Sequence, residues 1–397
     1  MQQEYPNGRL PEEYAQEEAA KRKRKIMLDE RGLLDVPFLV LTILLVLIGV
    51  VMMFSASYAR AYQNEGNSTY YFTRQAIFAL VGIGAMLFFS FWNYQIWRSF
   101  SVFVLAGSIF FLMLVPLIGI EENGAKRWIY IGFTSFQPSE VAKLGVVLTF
   151  ASMISVRRDR MQTFKGGILP FVIILAVVAG LLVLEPHLSA IIIILAVGAS
   201  MLFLGGVKLR WFAVGLAAVA VFALIYLATR GYANERIEAW RDPFSDPTDK
   251  GYQILQSLYA IGSGGLMGLG LGRSRQKYLY LPEEHNDYIF PVVCEELGFV
   301  GATLIVLLFA LLVIRGYWIA MHAPNRFGKL VAAGLTTLLA LQVILNIGVV
   351  TNTLPSTGIS LPFFSYGGTA LILQLVEMGI ILSISRSGKS ELLRQSM

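Results

Sequence analysis

Asp287 and Glu295 are the residues that most invite a chemical role. Both lie in Tyr280-Leu-Pro-Glu-Glu-His-Asn-Asp287-Tyr-Ile-Phe-Pro-Val-Val-Cys-Glu-Glu296. There, charged and Gly/Pro-rich sequence from Gly231 gives way to an almost wholly apolar run from Tyr288 to about Trp318. Asp287 stands at the mouth of the helix this run predicts. Glu295 follows eight residues later, roughly 12 Å deeper and near the same face after two turns. Ionisable groups are costly in hydrocarbon, so they face polar cavities and mark functional paths. A carboxylate partly withdrawn from water acquires a raised pKa suited to a general base. The structural alternative is that Asn286 or Asp287 merely caps the helix.

Further polar residues gather in other segments. Asn123-Gly-Ala-Lys-Arg-Trp-Ile129 sets two cations, Lys126 and Arg127, beside the indole of Trp128. Cations hold phosphate and an indole stacks on a sugar ring, but the same trio serves equally as an interfacial anchor. Glu140 and Lys143, spaced i, i+3, can pair on one helix face. Asn352–Gly368 is dense in Pro, Gly and hydroxyls, and non-helical backbone at a membrane face must be buried in protein or line a wet cavity. Gln342 and Asn346 give the preceding helix a polar stripe.

The elements that must position these groups are membrane helices. Of 397 residues, 56% are hydrophobic and 15% charged, with a mean hydropathy of +0.63, against about 25% charged in soluble domains. Apolar spans fall at about Val36–Phe54, Tyr71–Trp92, Phe100–Ile120, Pro138–Ile154, Gly166–Leu184, Leu188–Leu204, Trp211–Ala228, Tyr288–Trp318, Leu330–Thr351 and Gly367–Ile384, each near the roughly 20 residues that cross a bilayer. The predicted fold is therefore an all-α polytopic membrane protein with ten transmembrane helices. Residues 1–35 form a polar cytoplasmic leader, 36–385 the membrane domain and 386–397 a cytoplasmic tail. The net charge of +6 is distributed as topology. Arg157–Arg160, Lys208, Arg210, Arg315, Arg326, Lys329 and the tail share one face, which the positive-inside rule makes cytoplasmic. Both termini then lie inside, and a long extracytoplasmic loop, 231–287, joins helices 7 and 8. No basic domain suggests nucleic acid. The single Cys294 excludes an internal disulfide, and the three scattered histidines suggest no structural metal. Within the long loop, Tyr252–Ile261 has the periodicity of a surface helix. The run Gly262–Gly272 matches no phosphate-binding spacing, so it reads as a connector that lets backbones pack closely. Small residues such as Gly298, Gly301, Ala332, Ala333 and Gly334 permit close helix contacts, with a partner or internally.

Taken together, Gly124–Ile129, Phe136-Gln-Pro-Ser-Glu140 with Lys143, Asp242-Pro-Phe244, Gly251-Tyr-Gln253, Leu281–Asp287 with Glu295-Glu-Leu-Gly298, Leu354-Pro-Ser-Thr-Gly358 and Pro362–Gly368 make the chain resemble the SEDS family of bacterial cell-wall proteins. This is the RodA, FtsW and SpoVE group, and the FtsW type resembles the chain most. One departure is Glu185-Pro-His187, where the family usually has an acidic residue at the last position. The resemblance implies an inverting peptidoglycan glycosyltransferase that polymerises lipid II, the undecaprenyl-pyrophosphate disaccharide-pentapeptide, at the outer face of the bacterial cytoplasmic membrane, for division or cell shape. It implies a class B penicillin-binding protein as partner, among other divisome or elongasome proteins. It maps the family's essential aspartate onto Asp287, and the paired charges onto Glu140 and Lys143. Lys126, Arg127, Trp128, Arg241, Lys143 and His285 join Glu140 as candidates to hold substrate. No cofactor is evident; a divalent cation would assist, though no dedicated site for one is legible. The rival readings are a lipid II flippase, a proton-coupled transporter and a non-catalytic division scaffold.

Overall fold

The computed structural model describes residues 32, 34–122, 125–131, 134–157, 160–229, 231–249 and 251–395. The predicted leader lies almost wholly outside this range, as does Gly124 of the second loop. The chain begins in α1 (Val36–Glu65), whose start is written in sequence. Asp35 accepts a hydrogen bond from the Phe38 amide at 3.1 Å, Pro37 suits the first turn, and Gly66 closes the far end in a left-handed conformation (φ 66°). Helices α2 (Tyr70–Phe91) and α3 (Ile96–Ile118) follow, then three short strands, β1 (Ile120–Glu122), β2 (Ala125–Ile131) and β3 (Thr134–Phe136). Next come α4 (Pro138–Val156), a π-helical turn at Phe164–Ile168 leading into α5 (Leu169–Leu184), α6 (Leu188–Leu204) and α7 (Leu209–Thr229). The remaining elements are α8 (Gly231–Arg241), α9 (Tyr252–Ser263), α10 (Ile289–Met321), α11 (Arg326–Val350) and α12 (Gly368–Gln395).

Eight helices, or helical stretches, among the described residues are long and apolar enough to cross a membrane. They correspond to eight of the ten expected spans. The other two coincide with α6 (Leu188–Leu204) and α7, which is apolar over Leu209–Val221. The chain is thus a mostly helical, polytopic membrane protein. In α4, α11 and α12, 67%, 67% and 72% of the apolar window is buried, against 22% and 28% in α2 and α3. The first three therefore form the core, and the others turn much of their surface outward. The bundle closes on itself late in the chain: α12 packs along α2. Gly379 makes this possible, because a Cβ there would lie 2.6 Å from the Met86 carbonyl oxygen.

Two expectations need correction. The fold is not purely helical: β1–β2–β3 form an antiparallel sheet, with Trp128 opposite Ile120 and Ile129 opposite Phe136. The Lys-Arg-Trp-Ile-Tyr-Ile run carries the aromatic and β-branched residues that favour strands, but it is too short to stand out in a chain dominated by apolar helices. The single span from Tyr288 to Trp318 is also not continuous. Gly298 (φ 67°, ψ −172°) breaks α10, and the Gly-rich run packs into the break as a backbone seam. Phe299 N–H donates to the Gly265 carbonyl at 2.9 Å, and Gly270 N–H to the Glu296 carbonyl at 3.0 Å. A Cβ on Gly298 would stand 2.2 Å from the Gly268 nitrogen. The connector reading of this run agrees with the geometry. The predicted surface helix is α9, held to the bundle where Ser257 Oγ donates to the Val350 carbonyl at 2.6 Å. Gly334 faces Met201 and Val147, so that stripe of small residues serves internal packing.

Candidate active site

The connections between helices gather at one end of the bundle. Arg127 of β2 donates to the Pro186 carbonyl between α5 and α6 at 2.5 Å. Thr369 of α12 reaches the Ser135 carbonyl of β3 at 2.9 Å, and Ser189 of α6 bonds the Thr357 carbonyl. Together these connections enclose a cavity of about 720 Å³. Asp287 lines it, in the turn just before α10. The cap position of that helix is Tyr288, without a side-chain cap; the Asp287 carboxylate instead accepts from Ser360 Oγ at 3.1 Å. Its backbone is fixed from behind: Asn346 Nδ2, on α11, donates to the Asp287 carbonyl at 2.8 Å and to that of Ile359 at 2.6 Å. Ser365 Oγ holds the Asn286 carbonyl at 2.7 Å. The polar stripe of α11 therefore positions the carboxylate, and does not itself present charge.

Electrostatics suit a base. Burial, then repulsion from Glu283, pushes Asp287 up to about 6, while the Ser360 hydrogen bond, Arg127 and Arg236 pull the other way. Ionised at neutral pH yet more basic than a solvated carboxylate, it can accept a proton.

The sequence candidates divide. Arg127, Trp128, Glu140, Lys143 and His285 line the same cavity as Asp287. Lys143 Nζ pairs with Glu140 at 2.7 Å, its side chain 5% exposed. His285 is stacked on Tyr71, with centroids 5.0 Å apart, and burial lowers its pKa. Lys126 and Arg241 are not brought in. Strand alternation puts Lys126 on the other face of β2 from Arg127, exposed and in register with Glu121. Arg241 is exposed at the end of α8. Arg236, five residues earlier, donates to the Ser356 carbonyl at 2.8 Å and its charge acts on Asp287.

Glu295 is not a second cavity carboxylate. It accepts from Ser274 Oγ and from the Arg275 amide at 2.9 Å. Its neighbour Glu296 pairs with Lys277 at 2.8 Å and accepts from Ser55 Oγ at 2.7 Å. Both carboxylates anchor the loop after the Gly-rich run, so their depth reflects anchoring.

Sequence reasoning missed Tyr70, Tyr71, Arg74 and Glu283, all lining the cavity. The signal was present in Tyr70-Tyr-Phe-Thr-Arg74, a cation one turn after an aromatic pair at a helix start. At the departure from the family pattern, His187 lines the cavity and Glu185 is buried behind it. Burial pushes Glu185 up to about 8, opposed by Arg127, and burial, Arg127 and Lys143 keep His187 well below its ordinary value. This corner therefore presents a neutral imidazole. Among the described residues no group of three or more His, Cys, Asp or Glu is placed to hold a metal ion.

Comparison with known proteins places this geometry. Residues 36–390 match the FtsW/RodA/SpoVE family model, described as a cell cycle protein. The chain is 40% identical over 355 residues to stage V sporulation protein E of Bacillus subtilis, covering 89% of this chain and 97% of that protein. It is 41% identical over 355 residues to a probable peptidoglycan glycosyltransferase FtsW of Trichlorobacter lovleyi, covering 88% and 93%. Among solved structures, it superposes on a chain of a peptidoglycan synthase complex that coordinates polymerization and crosslinking, with a TM-score of 0.75, 27% identity and coverage of 89% and 98%. The rod shape determining protein RodA of Thermus thermophilus superposes with a TM-score of 0.67 at 27% identity, covering 89% and 97%.

Proposed function

The chain belongs to the FtsW/RodA/SpoVE family, and from that membership we propose that it is a peptidoglycan glycosyltransferase that polymerises lipid II with Asp287 as its base. The observation that carries the residue assignment is the cavity itself: Asp287, a half-buried carboxylate raised toward neutrality, shares it with Arg127 and the Lys143–Glu140 pair. Joining two lipid-linked sugars requires removal of a proton from the acceptor hydroxyl and compensation of the departing pyrophosphate. Asp287 Oδ takes the proton as the hydroxyl oxygen attacks the donor's anomeric carbon. The bond from that carbon to pyrophosphate breaks on the opposite face, inverting the centre, and Arg127 and Lys143 meet the charge that leaves. A divalent cation, if recruited, would add compensation at the same place.

In this reading the cavity end of the bundle is extracytoplasmic. All ten apolar segments span the cytoplasmic membrane, both termini are inside, and 231–287 lies outside. The Asp35–Arg315 pair, at 2.8 Å, then marks the cytoplasmic end. The structural relative sits in a synthase complex, which supports a class B penicillin-binding protein as this chain's partner, docked laterally in the bilayer. The test is the purified chain with that partner and lipid II. Glycan chains are expected from the wild type, and few or none, at least about a hundredfold less, from Asp287→Asn. A folded Asp287→Asn protein that polymerises at the wild-type rate overturns the assignment.

A further inference from the structure

Two groups of different chemistry line the cavity together with Asp287. One is Arg127 and Lys143, whose charges both act on the His187 imidazole. The other is an aromatic group that the mechanism above leaves unused. Tyr71 stacks on His285 with centroids 5.0 Å apart and planes 22° apart. It meets Tyr366 edge-on at 5.0 Å and Tyr70 at 5.3 Å. Arg74 lies 5.3 Å from the Tyr70 centroid and donates to the Tyr70 hydroxyl at 2.8 Å. These residues are half-buried, apart from the more deeply buried His285, and all line the cavity. Asp287 feels both groups: Glu283 acts on Asp287 and on His285, and Arg127 acts on Asp287.

We propose that the aromatic half, Tyr70, Tyr71 and Tyr366 with Arg74, is a carbohydrate subsite that holds the acceptor sugar, and that the cationic half takes the donor's pyrophosphate. This rests on the glycosyltransferase reading of the same cavity. The chemistry separates the two ends. A pyrranose ring offers flat C–H faces to aromatic rings and hydroxyls to donors at their rim, and aromatic walls with a few placed polar groups are how sugar-sized ligands are bound and oriented. A pyrophosphate requires cations, which the aromatic half supplies only through Arg74. With the acceptor on the tyrosines, its hydroxyl faces Asp287, and the proton moves to that carboxylate as the donor carbon, on the Arg127 side, loses pyrophosphate with its bonding pair.

The bland alternative is that Tyr71, His285 and Tyr366 only brace the turn that carries Asp287. Indeed, the Tyr366 amide donates to the His285 carbonyl at 2.8 Å. Kinetics separate the two, because lost uniform binding raises KM and leaves kcat, whereas a misplaced base lowers kcat. The experiment uses the full chain with its partner and two probes: lipid II, and lipid II whose acceptor hydroxyl is blocked by an added sugar so that it serves only as donor. With the blocked donor saturating, Tyr71→Leu and Tyr366→Leu should raise the KM for unblocked lipid II about tenfold and leave kcat within about twofold. Tyr71→Phe keeps the ring and should bring the KM back from the Tyr71→Leu value toward that of the wild type. The KM for the blocked donor should rise in Lys143→Gln and stay unchanged in the tyrosine variants. The acid limb of the rate near pH 6 should not move. A fall in kcat with an unchanged KM, a shifted acid limb, or a rise in the donor's KM alone overturns the subsite. Absence of polymer from the wild-type complex overturns the glycosyltransferase reading instead, so the two failures are distinct.

Discussion

At the scale of single residues, Asp287, as the proposed base, should set the pH behaviour. Its pKa is raised to about 6, above the roughly 3.9 of a solvated aspartate. Only the ionised form accepts a proton, so kcat/KM should be flat above neutrality and fall about tenfold per unit as pH drops below about 6. The sign for stability is opposite. A carboxyl with a raised folded-state pKa favours the protonated fold, so its ionisation lowers stability as pH rises between the unfolded and folded values. Asp287→Asn should therefore melt at the wild-type temperature or slightly above it near pH 7, while losing polymerisation; a clear drop in melting temperature would make the residue structural. Residue type and motif were enough to single out Asp287, Arg127, Lys143 and His285 in the sequence. They did not separate Arg127 from Lys126, because that choice rests on strand alternation in β2, nor Arg236 from Arg241, because which turn of α8 packs against the Asn352–Gly368 segment is a tertiary fact.

At the scale of elements, the seam between the Gly-rich run and α10 is held by buried charge. Lys277 pairs with Glu296 at 2.8 Å, with side chains 3% and 0% exposed, and donates to Ser55 Oγ of α1 at 2.9 Å. Removing one member leaves a buried charge uncompensated. Lys277→Met should therefore cost about 3–5 kcal/mol, most of it recovered when Glu296→Gln is added; thermal unfolding of the two variants in detergent checks this. If Lys277→Met alone is neutral, the pair is not stabilising the seam. Glu295→Gln likewise should weaken loop anchoring and impair polymerisation less than Asp287→Asn. The apolar run after Tyr288 read as one helix because hydrophobicity carries no record of a residue at φ 67°. The glycines that accommodate the break were legible only as close-packing residues.

For the whole molecule, the positions of the apolar helices were the most legible property, since length and hydropathy are local quantities. Helix α6, at 17 residues, is the exception in length, and it packs against α4, α5 and α11, which supply its cover. With Cys294 replaced, a cysteine at Ser245 should react with a membrane-impermeant thiol reagent in intact spheroplasts, and one at Thr163 should not. Both positions are exposed, so the difference reports sidedness alone. Labelling at Thr163 and not at Ser245 would invert the orientation.

The pairing of α2 with α12 also places a clock on biogenesis. Gln75, fully buried, donates to the Ser365 carbonyl at 3.1 Å across 290 residues of sequence, and Ser383 bonds the Trp92 carbonyl from 291 residues away. At about 5–20 residues per second of synthesis, roughly 15–60 s separate the emergence of α2 from that of the segment that satisfies it. For that interval the ribosome has released a helix whose buried amide has no partner, and the bundle cannot close. The early helices must wait in the bilayer or in the care of the insertion machinery, and the substrate cavity, which needs walls from both ends of the chain, comes into being only when translation is nearly finished.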